Sequence, residues 1–248
     1  MAENSAIEWT EHTFNIAWGC DKVSPACKHC YAESLAKRYG FDVWGKDKPR
    51  RVLSDAYWRE PLKWNKAAEK AGKAARVFCS SMADVFENHP TLVLQRAKLW
   101  ALIKATPWLK WLLLTKRPEN VRWMVPPDWL DRWPVNVLPG FTAEDQEWFD
   151  RRHAAAVDGA NPALAPWFVS YEPALGPVDF RGLGGVSWLI VGGESGYGAR
   201  EMPEAWVRSA RDQAVAAGVA FFYKQRIEGG RKISLPMLGD RQWSEVPR

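Results

Sequence analysis

The chain has 248 residues, 47% hydrophobic and 25% charged, which is enough apolar matter for a packed core and excludes a disordered chain. No apolar run approaches the roughly 20 residues that span a bilayer, so no membrane partner is expected. Met1 to His12 lack the basic start and apolar stretch of a secretory signal, so a cytoplasmic location is expected. Lys and Arg total 34 against 29 Asp and Glu, a formal +5 that permits a polyanionic partner without requiring one.

In chain order, apolar runs with strand character cover Phe14 to Trp18, Arg76 to Cys79, Trp111 to Leu114, Asn136 to Leu138, Trp167 to Ser170 and Trp188 to Val191, with a seventh at Val219 to Tyr223. Helical spacing covers Tyr31 to Tyr39, Leu92 to Ala105, Pro118 to Met124, Ala143 to Ala156 and Glu204 to Ala217, the last stopped by Gly218. Strand followed by helix, repeated, predicts an α/β fold with a mainly parallel sheet. A doubly wound sheet and a partial (β/α) TIM-like barrel both fit. The barrel is preferred because polar residues follow nearly every strand, and a barrel gathers such positions at one rim. No linker separates domains, so residues 1–248 read as a single domain. A basic, Trp-containing insertion lies at about 41–73, its Tyr57 to Lys66 portion a short helix that covers the site. The 16 tryptophans are too many for one use: some rings fill the core, and others in polar stretches could cover a ligand or a base.

Three of the four cysteines, Cys20, Cys27 and Cys30, fall within eleven residues, between a strand end and a helix. Clustered thiols in a reducing compartment point to a soft metal or an iron-sulfur cluster before a disulfide. Three thiolates hold three corners of a cubane and leave one iron open to a substrate or cofactor.

The loop Gly19-Cys20-x6-Cys27-x2-Cys30-Tyr31-Ala32 resembles that of the radical S-adenosylmethionine (SAM) enzymes, with a first gap three residues longer than their usual spacing. It is most similar to a phage-associated radical SAM-like family. Further blocks resemble that family: Ser81-Met82-Ala83-Asp84, Leu114-Thr115-Lys116-Arg117-Pro118, Ser170-Tyr171-Glu172-Pro173, Gly192-Gly193-Glu194-Ser195-Gly196, Ala199-Arg200 and Lys224-Gln225. The resemblance implies a radical SAM type of barrel, a [4Fe-4S] cluster on Cys20, Cys27 and Cys30, and cleavage of SAM to a 5'-deoxyadenosyl radical that abstracts hydrogen from a substrate. It implies His29 and Ser81 near the cofactor and Asp84 facing the SAM ammonium. Thr115 and Glu144 would line the cavity, Gly192, Gly193 and Glu194 would lie beside SAM, and Lys116 and Glu172 would be catalytic. The implied substrate is a nucleobase, or its amino-acid adduct, in phage DNA hypermodification. The enzyme would be an isomerase or base-modifying enzyme in the host cytoplasm, served by a reductant protein.

Blander readings stand beside these. The cysteines could hold a structural zinc in a nucleic-acid-binding protein without catalysis. Cys79 reads as a buried small hydrophobe. Gly192 to Gly196 lacks the spacing of a dinucleotide or triphosphate loop and could be an ordinary turn. Lys116 with Arg117 could be a solvated surface pair. Glu172, following an apolar strand, needs a partner at the barrel mouth, and Arg200 is a candidate. Lys46 to Arg51 reads as a solvated loop or, with Trp44 and Trp58, as a grip on a nucleic-acid backbone.

Overall fold

Residues 5–158, 166–195 and 198–247 are described by the structure, a computed structural model. The chain packs into two compact units: Met1–Val23 with Ala32–Pro139, and Ser24–Tyr31 with Gly140–Arg248.

The first unit contains β1 (His12–Phe14), β2 (Ala17–Trp18), α1 (Tyr31–Arg38, from Ala32), β3 (Arg51–Val52), α2 (Asp55–Trp58), α3 (Glu60–Ala71), β4 (Ala75–Cys79), α4 (Pro90–Ala105), β5 (Leu109–Thr115), α5 (Val121–Met124), α6 (Pro127–Asp131) and the start of β6 (Val137–Ala143). β1 runs parallel to β4, and β4 to β5. Its core is aromatic: Phe14 stacks on Tyr57 at 4.9 Å and meets Trp58 and Trp111 edge-on at 5.0 and 5.6 Å. The helices begin where the sequence supplies caps. The Ser54 hydroxyl accepts from the Tyr57 amide ahead of α2, and His89 with Pro90 opens α4.

The strand expected over Phe14 to Trp18 is broken in two. Asn15 leaves the strand to receive the Met82 amide on Oδ1 at 2.7 Å and to donate its own amide to the Tyr57 hydroxyl at 2.7 Å. Beyond it, β2 pairs antiparallel with β3 instead of joining the main sheet. The segment read as an insertion forms β3, α2 and α3, more structure than a single short helix.

The second unit contains the cysteine-bearing residues 24–31, the end of β6, α7 (Gln146–Asp158), β7 (Trp167–Tyr171), β8 (Val186–Gly192), α8 (Glu204–Ala216), β9 (Ala220–Glu228), β10 (Arg231–Ser234), β11 (Met237–Leu238) and β12 (Arg241–Gln242). β6, β7, β8 and β9 are consecutive parallel neighbours. β6 and β7 are buried along their whole length, which is why they read as continuous apolar runs rather than alternating ones. A side-chain carbon on Gly140 of β6 would stand 2.2 Å from the Phe168 ring of β7, so this position admits only glycine. β10 runs antiparallel to β9 and is exposed throughout; its Arg-Lys-Ile-Ser sequence carries no apolar pattern to announce it.

The main sheet has eight strands in the order β1-β4-β5-β6-β7-β8-β9-β10. Sequential parallel strands with intervening helices are the topology of a partial (β/α) TIM-like barrel, the α/β class expected from the sequence. Nine of the tryptophans are buried and serve the core, whereas Trp123 is exposed. Among the described residues no helix is long and apolar enough to cross a membrane.

Candidate functional site

In the first unit, Cys20 lies in a loop whose backbone is gripped on several sides. The Gly19 amide donates to the Met82 carbonyl at 2.9 Å, and the Gly45 amide to the Cys20 carbonyl at 3.0 Å. Gly19 has a φ of +117°, and a side chain there would meet the Val43 carbonyl at 2.3 Å, so glycine is required next to this cysteine. Asp21 is clamped through its backbone: its amide donates to Glu87 Oε1 at 2.9 Å, and its carbonyl accepts from Arg117 Nη2 at 2.9 Å.

Glu87 is in turn fixed by Arg50, whose Nε and Nη2 donate to the two carboxylate oxygens at 2.8 and 2.7 Å, a bidentate pair buried on both sides. The expectation of a solvated loop at Lys46 to Arg51 therefore fails at Arg50. Its charge is drawn inward by a carboxylate 37 residues away, a pairing that local sequence does not reveal.

Arg117 Nη1 lies 3.7 Å from Cys20 Sγ and 3.0 Å from Asp84 Oδ2. Burial pushes the Cys20 thiol up to about 12, with the Arg117 charge opposing. Burial works against the Arg117 charge as well, but Asp84 and Cys20 outweigh it and hold the guanidinium above its ordinary value.

Asp84 accepts four hydrogen bonds: on Oδ1 from the Thr115 hydroxyl at 2.7 Å and the Phe86 amide at 2.9 Å, and on Oδ2 from the Lys116 amide and Arg117 Nη1, each at 3.0 Å. These donors fill the acceptor sites of a carboxylate, so the capacity expected for a SAM ammonium is spent within the protein. Asp84, Thr115 and the Lys116 backbone are thus brought together as the brace behind Arg117. The Ser81 hydroxyl accepts from Asn15 Nδ2 at 3.2 Å.

In the second unit, residues 24–31 carry Cys27 and Cys30 and are held by two carboxylates. Glu144, fully buried just past β6, accepts from the Ser24 hydroxyl at 2.5 Å and Arg152 Nη1 at 2.7 Å on Oε1, and from the Ala26 amide at 2.8 Å on Oε2. Glu194, just past β8, faces His29 Nδ1 at 3.2 Å and is wrapped by Arg200, whose Nη2 also reaches the Pro25 carbonyl at 3.2 Å. Burial would raise the Glu194 pKa, but the Arg200 hydrogen bonds outweigh it and hold the carboxyl below its ordinary value. Glu144 and Glu194 each pair with an arginine and pin the cysteine segment.

Glu172, just past β7, takes Lys224 Nζ on Oε1 at 2.5 Å. Lys224 and not Arg200 is its partner, because Arg200 is committed to Glu194. Gly192 gives this pair room: a side chain there would sit 3.2 Å from Glu172 Cδ. Gly193 exchanges hydrogen bonds with Gln225, its amide donating at 3.0 Å and its carbonyl accepting Nε2 at 2.9 Å.

Sequence reasoning passed over Arg50, Glu87 and Arg152 and did not place Ser24. Ser24, three residues before Cys27, is the one with a local signal. None of Cys20, Cys27 and Cys30 is in a disulfide, and each is half-buried; Cys79 is buried, as expected of a small hydrophobe. Among the described residues no three His, Cys, Asp or Glu side chains are gathered closely enough to hold a metal ion. The donor set itself fits an iron-sulfur cluster: three unbridged thiols on one loop, with a guanidinium beside one of them to favour its thiolate.

No curated protein sequence matches the chain. In fold it is similar to a mutant spore photoproduct lyase with bound AdoMet and dinucleoside spore photoproduct, with a TM-score of 0.50, 15% identity, and a likeness covering 82% of this chain and 61% of that one. The chain thus spans about three fifths of that protein's length. In sequence it matches residues 4–247 to the family described as "Protein of unknown function (DUF5131)", a span that takes in the cysteine loop and every clamp around it. The chain belongs to the DUF5131 family.

Proposed function

We propose that the protein is a radical SAM enzyme. In this reading it holds a [4Fe-4S] cluster on Cys20, Cys27 and Cys30, binds SAM, and abstracts hydrogen from a nucleobase or its amino-acid adduct in phage DNA, acting as an isomerase or base-modifying enzyme. The observation that carries the reading is the division of labour in the cysteine loop. Asp21, Ser24, Pro25, Ala26 and His29 are tied to Arg117, Glu87, Glu144, Arg200 and Glu194, so carboxylates and guanidinium groups hold the residues around the thiols in place, and Arg117 also lies against Cys20 Sγ. A loop held in this way presents three unbridged thiols to a cofactor. The motifs that resemble radical SAM enzymes and the likeness in fold to a lyase whose structure holds AdoMet support the same reading.

Bound there, the cluster would supply the single electron that cleaves SAM. The chain's own residues do the rest. Arg117 places positive charge against Cys20 and so favours the thiolate that iron requires. Asp84 and Thr115 hold Arg117 in place and aim the turn that carries Lys116. Glu144 and Glu194 fix the segment bearing Cys27 and Cys30, and His29 on it would lie beside the cofactor. Glu172 and Lys224 form a half-buried acid-base pair, suited to holding a polar group of the substrate and moving a proton at Glu172 Oε1.

Anaerobic reconstitution with iron and sulfide, followed by reduction with SAM, tests this. The expected result is a brown protein with charge-transfer absorbance near ~400 nm that forms 5'-deoxyadenosine, both lost in Cys27→Ser. A colourless protein that retains zinc and leaves SAM intact would overturn it in favour of a zinc-braced binding protein.

A further inference from the structure

The charge of the chain is concentrated in one place. Residues 41–76 hold ten Lys or Arg against five Asp or Glu. Arg50 and Arg76 pair with Glu87 and Glu11 outside the segment, which leaves eight cations against five carboxylates to set its surface charge. The segment belongs to the first unit and contains α3. On α3 the buried residues are Pro61, Trp64 and Ala68. At about 100° per residue, Lys63, Lys66 and Lys70 fall within about 60° of arc on the opposite face. All three are exposed. Arg59 at the N-cap continues the 4-3-4 spacing at one end, and Lys73, just past the Gly72 C-cap, continues it at the other. Among the described ion pairs only Lys63 of this row is engaged, by Glu60 at 2.7 Å.

Like charges at this spacing repel one another, and nothing in the core needs them, since the buried face alone docks the helix. We infer that the outer face of α3 is a docking surface for a nucleic-acid backbone, with Arg59, Lys63, Lys66, Lys70 and Lys73 each meeting a phosphate. From residue 59 to 73 the row spans about 21 Å, with cations about 4.5–6 Å apart along the axis, a spacing that follows successive phosphates of one strand. A lipid surface fits less well: an interfacial helix inserts a row of apolar side chains beside its cations, whereas α3 exposes a single large one, Leu62, and turns Trp64 into the core. The inference extends the nucleic-acid substrate proposed above to a surface outside the cysteine site. It rests on that reading only for the class of partner.

Fluorescence anisotropy of the full-length protein with a short labelled DNA duplex tests it without any cofactor, so a failure to bind and a failure to cleave SAM are read separately. With five phosphate contacts, the slope of log affinity against log salt is expected near about −4.5. The triple variant Lys63→Gln, Lys66→Gln and Lys70→Gln is expected to flatten it to about −1.8 and to weaken binding at low salt at least tenfold. A control triple at exposed cations elsewhere in the chain, Lys104→Gln, Arg132→Gln and Arg151→Gln, removes the same charge and is expected to bind within about twofold of the unaltered protein. All six positions are exposed, and matched thermal melts confirm the fold. The inference is overturned if the protein does not retain duplex at low salt, if the two triples lose affinity equally, or if vesicles containing phosphatidylserine are bound more tightly than DNA.

Discussion

Glu144 shows how much one buried carboxylate can organise. It satisfies a hydroxyl and an amide of the cysteine segment, and its charge is balanced by Arg152, the two side chains being 0% and 2% exposed. Removing one partner of such a pair strands the other in a medium that penalises bare charge. Glu144→Ala is therefore expected to lower stability by about 3 kcal/mol in urea titration. Glu144→Gln keeps an acceptor for Ser24 or Ala26 and should lose less. Equal losses in the two variants would mean that the charge on Glu144, and not its hydrogen bonding to the loop, is what the fold uses. The same logic reassigns Asp84. A carboxylate after β4 is legible from sequence as a polar group at a strand end, but its four donors come from residues 86 and 115–117, and only their arrival in space shows that it braces Arg117.

At the scale of elements, strand contacts set narrow tolerances. Gly140 lets β6 lie against the Phe168 ring of β7, and Gly140→Ala would force atoms to within 2.2 Å in a buried layer. A loss of about 1–3 kcal/mol is expected from overpacking. Combining it with Phe168→Ala should cost less than the sum of the two single changes, because the second opens the space the first needs. A strictly additive double variant would show that the clash is relieved elsewhere.

β1 and β4 are further joined by Glu11, whose carboxylate takes the Arg76 amide at 2.7 Å and its guanidinium at 2.6 and 3.0 Å. Burial alone would raise the Glu11 pKa, but the Arg76 bonds outweigh it and the folded value lies below the usual 4.5. A depressed carboxyl stabilises the fold above its unfolded pKa, and that contribution disappears as the pH falls through the lower, folded value. The pair is partly exposed, so the effect is expected to stay below about 1 kcal/mol. Measured as stability against pH, Glu11→Gln should match the unaltered protein in strong acid and fall behind it above about pH 4.5, the unfolded value. A constant gap at every pH would rule out this ionisation as its cause.

For the whole molecule, the cores of both units are built without the three clustered cysteines: aromatic packing around Phe14 in one and the buried strands β6 to β9 in the other. Under the proposed reading, treating the reconstituted protein with an iron chelator under anaerobic conditions is thus expected to bleach it while far-UV circular dichroism and a cooperative thermal melt persist. The midpoint should fall only by the binding contribution. Collapse of the melt on chelation would instead make the metal part of the fold, as in structural zinc sites.

Taken alone, the amino-acid order determined the alternation of strands and helices, the parallel α/β class and the thiol loop between an early strand and helix, because periodicity and cysteine spacing are written over a few neighbouring residues. Tertiary structure decided which charges meet. Glu87 takes Arg50 and not solvent, Glu172 takes Lys224 and not Arg200, and Glu144 reaches back 118 and 120 residues to the cysteine segment. It also decided that Asn15 breaks the first strand and that an unpatterned Arg-Lys-Ile-Ser run forms an antiparallel edge. Such pairings depend on which strand ends become neighbours in space and on the cost of leaving a buried charge alone, and neither quantity exists until the chain has folded.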